Sequence, residues 1–229
     1  MLRGVALRLH GPMQAWGGPV IGDARPTLGF PTRSGVLGLV AACMGIRRDE
    51  EESLFGLADG TRVHIRVDAA GTSLVDDQTI QDNPNASSTR QTIQSKRTYL
   101  CDASFAAVVV PGPRASLSQV AAAARWPAFS PSLGRRTCVL SAPLLISEEV
   151  SSETPVGLFD TIERGPTDLL EILAIRFGAP RFEDFYLDVA DYPGAVRRLR
   201  VRDDLAGPLP RQWRERIAVH VRNAIPFTV

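Results

Sequence analysis

Histidine and cysteine would carry most of the catalytic or metal chemistry open to a protein, and each occurs three times in this chain of 229 residues. They are His10, His64, His220, Cys43, Cys101 and Cys138. Their spacing forms neither a CxxC pair nor a zinc-ligand pattern, so we predict that the cysteines are small buried apolar residues. A nucleophile elbow, a GK[ST] phosphate loop and a dinucleotide fingerprint are also lacking. We therefore expect no enzyme activity, no metal and no cofactor.

Basic residues in three polar segments could bind an anionic partner. The candidates are Arg33, Ser34, Lys96, Arg97, Arg135 and Arg136. The first two begin a predicted helix, whose free backbone N–H groups attract phosphate. The next two end a long polar segment, and the last two follow a glycine. Each pair also has an ordinary structural explanation, as a capped helix start or a solvated loop.

Arginine supplies nearly all of the positive charge, since Lys96 is the only lysine. Guanidinium groups bind phosphate through paired hydrogen bonds and stack on bases, which suits a nucleic acid. Arginine also accumulates in proteins of GC-rich genomes, and the alanine runs of this chain agree with that explanation. A net charge of +1 does not decide between the two.

The composition is that of a globular protein, with 44% hydrophobic and 22% charged residues. No apolar run approaches the roughly 18 residues that a membrane-spanning helix needs. The first residues lead into a strand-like stretch instead of a signal peptide. We therefore expect a cytoplasmic protein with no membrane contact.

Apolar periodicity predicts the elements that must position the candidate residues. Strands are predicted around residues 5–9, 63–67, 99–110, 182–189 and 217–221. Helices are predicted from an N-cap at Ser34 to Gly45, from near Asp49, and from Ser116 to Arg125. Residues 70–96 are rich in Asn, Ser, Thr and Gln and have no apolar period, which predicts a long loop that is either functional or disordered. This order resembles a split βαβ, ferredoxin-like arrangement, which is also a common scaffold of RNA-binding sheets.

Six motifs follow one another in an order that resembles a known family. They are Gly11–Gly17, Arg25–Thr27, Phe30–Leu39, Met44–Ile46 with Arg48 and Asp49, Tyr99–Phe105, and Leu133–Cys138. In this order they resemble the CasD subunits of type I-E CRISPR Cascade complexes, in the repeat-associated superfamily of RNA-binding proteins. The matches are dense over residues 5–138 and thin in the C-terminal third, where Leu209–Gln212 resembles the family's tail segment.

The resemblance implies an α+β fold. It consists of a modified ferredoxin-like (RRM-like) domain over residues 1–140, a thumb insertion at about 70–97, and a smaller β-rich part over 141–229. It further implies a non-catalytic subunit that caps one end of the Cascade interference complex in antiviral defence and grips the 5′ handle of CRISPR RNA. The implied protein partners are the backbone subunit and the large subunit, with target DNA as an indirect partner. The implied RNA contacts are Gln14, Trp16, Arg33, Ser34, Lys96, Arg97, Arg135 and Arg136.

Three alternatives stay open at this point. The related subunit of type I-C systems cuts repeat RNA without metal, using Tyr, Lys and His groups, and Lys96 and Tyr99 lie in the corresponding neighbourhood here. No histidine is adjacent to Lys96, however, and type I-E systems cut with a separate subunit. A structural adaptor would instead keep its RNA binding when Arg135 and Arg136 are replaced. Trp16, taken alone, is more typical of a core residue than of a partner contact.

Overall fold

The computed structural model describes residues 1–20, 22–81, 92–165, 181–207 and 212–225. Its strands are β1 (Leu2–His10), β2 (Met13–Gln14), β3 (Ala24–Arg25), β4 (Arg62–Ala69), β5 (Thr72–Gln81), β6 (Thr92–Cys101), β7 (Ser104–Val110), β8 (Leu145–Ser152), β9 (Arg181–Leu187), β10 (Ala195–Gly207) and β11 (Gln212–Ile225). Its helices are α1 (Arg33–Cys43), α2 (Glu51–Ala58), α3 (Leu117–Arg125) and a 3₁₀ turn at Gly157–Phe159. The predicted mixed α+β class is confirmed.

A seven-stranded antiparallel sheet occupies the centre, in the order β10-β11-β9-β4-β7-β1-β8. It contains strands from both sides of residue 140. The predicted division of the chain into two parts at that residue stays a prediction. None of the helices in the described part of the chain has the length and apolar character needed to cross a membrane.

Both faces of the large sheet are covered by apolar side chains. In β1, Val5 and Leu7 pack into the cluster that contains the helices, whereas Ala6 faces a second cluster with Phe159 and Phe185. Successive side chains of a strand point to opposite faces, so a central strand buried on both faces is apolar throughout. Each fully buried aliphatic side chain stabilises the fold by about 1.5–3 kcal/mol.

The N-cap of helix α1 lies two residues before the predicted cap, Ser34. The Thr32 hydroxyl accepts the Gly35 N–H at 3.2 Å, which makes Thr32 the N-cap in extended backbone geometry. Ser34, which we predicted as the cap, lies inside the first turn, so that prediction is wrong. The predicted end is confirmed, because Gly45 has a positive φ of 77° just after the helix.

Residues 72–81 and 92–101 form a β-hairpin where we predicted a long loop. The two strands pair antiparallel from Thr72 opposite Cys101 to Gln81 opposite Thr92. Strand β6 also pairs with β2 and β3, which completes a small second sheet. For residues 72–81 and 92–96 the loop prediction is wrong, because most described side chains of β5 are exposed on both faces, which removes the apolar alternation that marks a strand. Residues 82–91 of the predicted loop lie outside the described residues.

Most of the other sequence predictions correspond to elements of the fold, but the predicted strand at 99–110 is divided between the end of β6 and β7 by a turn at Asp102. Helix α3 carries the predicted cap at Ser116, whose side chain forms a capping box with Gln119. Strands β1, β4, β9 and β11 and helix α2 also coincide with predicted segments. Strand β10 was not predicted, because its exposed arginines outnumber its two inward apolar residues, Leu199 and Val201.

A buried polar centre connects β4 to the end of β9. His64 in β4 is fully buried, and its Nδ1 atom accepts the Asp188 N–H at 3.2 Å. The Asp188 carboxylate accepts the Val63 N–H at 3.1 Å and pairs with Arg33 and Arg216 at 3.4 and 3.1 Å. Burial, together with the charges of Arg62 and Arg216, lowers the pKa of His64 to about 3, so this side chain is neutral in the folded protein.

We expect His64 to make the protein less stable in acid. Its pKa in the folded protein, about 3, lies below the ordinary value of 6.5 in the unfolded chain. The contribution of neutral His64 to the free energy of unfolding is therefore fully present above pH 6.5. It declines as the pH falls from 6.5 towards 3, by about 1.4 kcal/mol per pH unit. Denaturant unfolding between pH 7.5 and 4.5 measures this slope.

The matched variant is His64→Asn, whose side-chain oxygen can replace Nδ1 as the acceptor without binding a proton. Its unfolding free energy should fall less steeply below pH 6.5 than that of the wild type. Equal slopes for the two proteins would rule out His64 as a source of the acid sensitivity.

Candidate functional site

A cleft of about 870 Å³ lies between α1, the segment from Ala15 to Pro26, β6 and the turn at Gly134. Its charged lining residues are Arg25, Arg33, Arg48, Arg97 and Arg135. Within the described part of the chain, no acidic side chain lines the cleft. Asp188 offsets the charge of Arg33 from behind the cleft, and the other lining arginines create a positive potential that attracts a polyanion.

Small residues of α1 leave space along one wall of the cleft. Ser34, Gly38 and Ala42 are four residues apart and lie on one face of the helix. A Cβ atom added at Gly38 would meet nothing within 4 Å. The first turn of α1 also lines the cleft and contains no acidic residue, so the positive end of the helix dipole is available to an anion.

Arg33 lines the cleft but uses its guanidinium inside the protein. Its Nε atom donates to the Thr61 carbonyl at 3.0 Å, and Nη2 donates to the Ala58 carbonyl at 2.5 Å. Asp188 lies 3.4 Å away. The side chain is 5% exposed. Arg33 therefore holds the start of α1 against the α2–β4 turn, and its predicted RNA contact stays a prediction.

Gln14 and Trp16 form part of the scaffold beneath the cleft. The Gln14 amide nitrogen donates to the carbonyls of Leu9 and Ala103 at 3.2 and 2.7 Å, and its oxygen accepts the Trp16 indole N–H at 2.9 Å. Both side chains are buried, and Trp16 packs against Gly35 of α1. The interpretation of Trp16 as a core residue is confirmed. Trp16 lines the cleft but is only 1% exposed, and Gln14 is fully buried, so both serve as scaffold here and their predicted RNA contacts stay predictions.

Lys96 and Arg97 are adjacent in sequence but lie on opposite faces of β6. Arg97 lines the cleft and lies opposite Asp76 of β5. Lys96 is exposed, lies opposite Asp77 and does not line the cleft. The separation follows from the two-residue period of a strand. Of this predicted pair, the fold brings only Arg97 to the cleft.

The turn after Leu133 brings the last predicted pair to the rim of the cleft. Gly134 has a φ of 92°, and a Cβ atom there would lie 1.7 Å from the Ala15 carbonyl oxygen. Arg135 is half-buried and lines the cleft, whereas Arg136 is exposed beside it. We find no hydrogen-bond partner for the Arg136 guanidinium among the residues that the structure describes. Of the predicted pair, Arg136 is thus the side chain open to a ligand.

Among the residues that the structure describes, no cysteine or histidine lines the cleft. Burial raises the pKa of the Cys43 thiol to about 11 and also raises the pKa of Cys138, which leaves both thiols protonated. His220 pairs with Asp184 at 2.7 Å and stacks on Tyr186, on the large sheet. No group of three His, Cys, Asp or Glu residues that could hold a metal occurs in the described ranges.

Sequence reasoning missed Arg25 and Arg48 as cleft residues. Both fall inside motifs that carried the family resemblance, but neither was selected as a contact. Arg25 lies in a two-residue strand, and Arg48 follows α1 in a short connection. Only the folded chain brings these segments to the same cleft, so the motif was the one signal available beforehand.

Comparisons with known proteins agree with the motif resemblance. Residues 4–225 match the family described as CRISPR-associated protein (Cas_Cas5). The CRISPR system Cascade subunit CasD of Escherichia coli (strain K12) is 39% identical over 167 residues, which cover 67% of this chain and 75% of that protein.

Solved structures of related proteins share the fold. A chain of a CRISPR RNA-guided surveillance complex is similar with a TM-score of 0.72 and 26% identity, covering 97% of this chain and 91% of that chain. The crystal structure of a Cas protein is similar with a TM-score of 0.53 and 27% identity, covering 93% and 94% of the two chains. The resemblance drawn from the six motifs is confirmed, and the chain belongs to the Cas5 family of CRISPR-associated proteins.

Proposed function

We propose that this chain is a subunit of a type I-E CRISPR Cascade interference complex and that its cleft holds the 5′ handle of CRISPR RNA. The observation that carries this proposal is the cleft lined by five arginines and no described acid. Arginine is suited to phosphate because its planar group donates paired hydrogen bonds. The volume and the small residues of α1 allow an RNA backbone to approach closely, as single-stranded RNA recognition requires.

We also infer that the central sheet is a modified ferredoxin-like domain from which the β5–β6 hairpin extends as a thumb. The neighbouring strands β4-β7-β1-β8 and the helices between them support a split βαβ arrangement. In this interpretation the hairpin interrupts the connection between β4 and β7. Arg97 of β6 would then bring the thumb into contact with the same RNA that α1 faces.

We propose that the subunit is not a nuclease. Metal-independent cleavage of RNA needs positioned general acid and base groups. The described cleft lining contains no histidine, lysine or tyrosine. Lys96 is exposed, and Tyr99 is buried on the other face of β6. These two side chains are therefore poorly placed to act together.

We propose that the neighbours of the subunit in the cytoplasm are the backbone subunit and the large subunit of the complex, with target DNA as an indirect partner. The E. coli relative is named as a Cascade subunit, and a structural relative is part of a surveillance complex. The acidic side chains in and just after β8 are not part of the proposed contacts with these neighbours. Glu148, Glu149 and Glu153 already pair with Arg125, Arg3 and the N-terminal amine, respectively.

The test is binding of the purified chain to labelled CRISPR RNA with and without its 5′ handle, followed by electrophoresis of the RNA in the absence of metal. We expect intact RNA to be bound only when the handle is present. Cleaved RNA would favour the nuclease alternative. Equal binding of both RNAs, or of neither, would contradict recognition of the handle by this chain.

Replacing both Arg97 and Arg136 by alanine should weaken handle binding and reduce its salt dependence. Each lost phosphate contact is expected to lower the slope of log K against log[salt] by about 0.7 for a single strand. Titrations at several KCl concentrations measure that slope. The control is Arg114→Ala, an exposed arginine outside the cleft, which should leave the slope unchanged. A double variant with the wild-type slope would remove these residues from the site.

A further inference from the structure

The Arg135 guanidinium joins two strands of the small sheet. Its Nη1 atom donates to the Thr98 carbonyl in β6 at 3.1 Å, and Nη2 donates to the Arg25 carbonyl in β3 at 2.6 Å. Its Cζ atom lies 4.5 Å from the centre of the Tyr99 ring. Tyr99 is buried in the core, so the ring fixes the plane in which the guanidinium donates.

Apart from Arg135, the pairing between β3 and β6 is short. Strand β3 has two residues, and it pairs parallel with Lys96 and Arg97 of β6. The Lys96 N–H and the Ser95 hydroxyl both donate to the Asp23 carbonyl at 3.3 Å. So short a parallel pairing gains little from its own hydrogen bonds. The two additional bonds from Arg135 are therefore a large part of what holds β3 in place.

The backbone of Arg135 is itself fixed. The Cys138 N–H donates to the Arg135 carbonyl at 2.8 Å, and the Leu133 N–H donates to the Cys138 carbonyl at 2.8 Å. The Ala15 N–H donates to the Leu133 carbonyl at 3.0 Å, which attaches the turn to the segment after β2. Arg135 thus extends from a rigid turn to a junction that has few contacts of its own.

The residues tied in this way carry two of the cleft arginines. Arg25 and Arg97 are register partners across the β3–β6 junction, and both line the cleft. We propose that Arg135 is a positioning residue: it fixes β3 against β6 and so holds Arg25 and Arg97 side by side for the RNA backbone. This inference rests on the proposed function of the cleft and replaces a direct RNA contact as the main role of Arg135.

The Arg135→Lys variant distinguishes direct attraction of RNA phosphate from positioning of β3. A lysine keeps the positive charge, so a residue that only attracts phosphate would tolerate Arg135→Lys. It cannot donate in two fixed directions while stacking on a ring, so a residue that positions β3 would not tolerate the change. Arg114→Lys is the matched control, because Arg114 is exposed, lies over the Phe55 ring and does not line the cleft.

The experiment measures handle RNA binding by the full chain in both lysine variants and in the Arg25→Ala, Arg97→Ala double variant with and without Arg135→Lys. We expect Arg135→Lys to weaken binding roughly tenfold and Arg114→Lys to change it by less than about twofold. In the double variant, adding Arg135→Lys should change binding by less than about twofold, because the residues it positions are gone. Additive losses would overturn the proposal.

Amide hydrogen exchange at Lys96 measures how firmly β3 is held against β6, and it needs no RNA, because the Lys96 N–H donates to the Asp23 carbonyl beside β3. We expect exchange roughly tenfold faster in Arg135→Lys than in the wild type, and no change in Arg114→Lys. Unchanged exchange in Arg135→Lys would overturn the positioning role. If the wild type failed to bind handle RNA, the proposed function would fail, while exchange at Lys96 would still decide whether Arg135 holds the junction. Should Arg135→Lys not fold, Tyr99→Leu removes the ring beneath the guanidinium while keeping an apolar side chain in the core, and it should also speed exchange at Lys96.

Discussion

Replacing Gly134 by alanine is expected to lower the free energy of unfolding by about 2–5 kcal/mol and to weaken handle binding. A Cβ atom at this position would lie 1.7 Å from the Ala15 carbonyl oxygen, and the φ of 92° is unfavourable for any side chain. The turn must therefore move away from Ala15. Since the turn carries Arg135, its displacement would also disturb the cleft wall. Denaturant unfolding and handle RNA titration measure the two effects.

The control for this variant is Gly29→Ala. A Cβ atom at Gly29 would meet nothing within 4 Å, and this residue does not line the cleft. Its stability should stay within about 0.5 kcal/mol of the wild type, as for most surface substitutions. A Gly134→Ala protein as stable as the Gly29→Ala protein would show that the turn does not approach Ala15 so closely.

Replacing Asp68 by alanine is expected to cost about 3–5 kcal/mol of folding stability, because it leaves the charge of Arg66 buried without its partner. The Arg66 Nε atom donates to Asp68 at 2.7 Å, and both side chains are 3% exposed. Arg66 also donates to the carbonyls of Phe159 and Ile162 at 3.2 and 3.0 Å. Asp68 in turn accepts the Gly165 N–H at 2.9 Å. Urea unfolding of the variant measures the cost.

Two further substitutions define what the Asp68 result means. Asp68→Asn keeps the hydrogen-bond acceptor and should be less destabilising than Asp68→Ala. Glu149→Ala removes an exposed partner of Arg3 and should leave stability unchanged, since exposed pairs are screened by solvent. A stability of Asp68→Ala equal to that of Glu149→Ala would mean that water reaches Arg66 in the folded protein.

Sequence patterns predicted the helices and strands whose side chains are buried on one face or on both faces. Strand β1 was visible from Val5, Leu7 and Leu9, and α3 was visible from its cap and apolar stripe. The β5–β6 hairpin was not predicted because Leu74 and Val75 are exposed among polar residues. Its sequence therefore lacks the alternation of apolar and polar residues that marks a half-buried strand. Hydrogen bonding between strands holds such a segment, and this pairing depends on partners that are distant in sequence.

The motif resemblance located much of the cleft but not the direction of each side chain. It selected Arg33, whose guanidinium points to Thr61 and Asp188 because the α2–β4 turn and β9 supply acceptors there. It selected Lys96 together with Arg97, which a strand separates onto two faces. A motif identifies residues that occur together in a family, whereas burial and hydrogen-bond partners determine which of them can meet a ligand.

Strand β10 has a consequence for the free chain before it joins any assembly. It is 13 residues long and lies at one edge of the large sheet, where unpaired backbone groups invite a strand from another copy. Its exposed side chains include Arg197, Arg198, Arg200 and Arg202, and its register with β11 is interrupted by irregularities. Like charges facing one another across two such edges repel, and bulges spoil the match of a second strand. The edge is thus protected against aggregation by its own sequence, and this protection weakens as added salt screens the arginines.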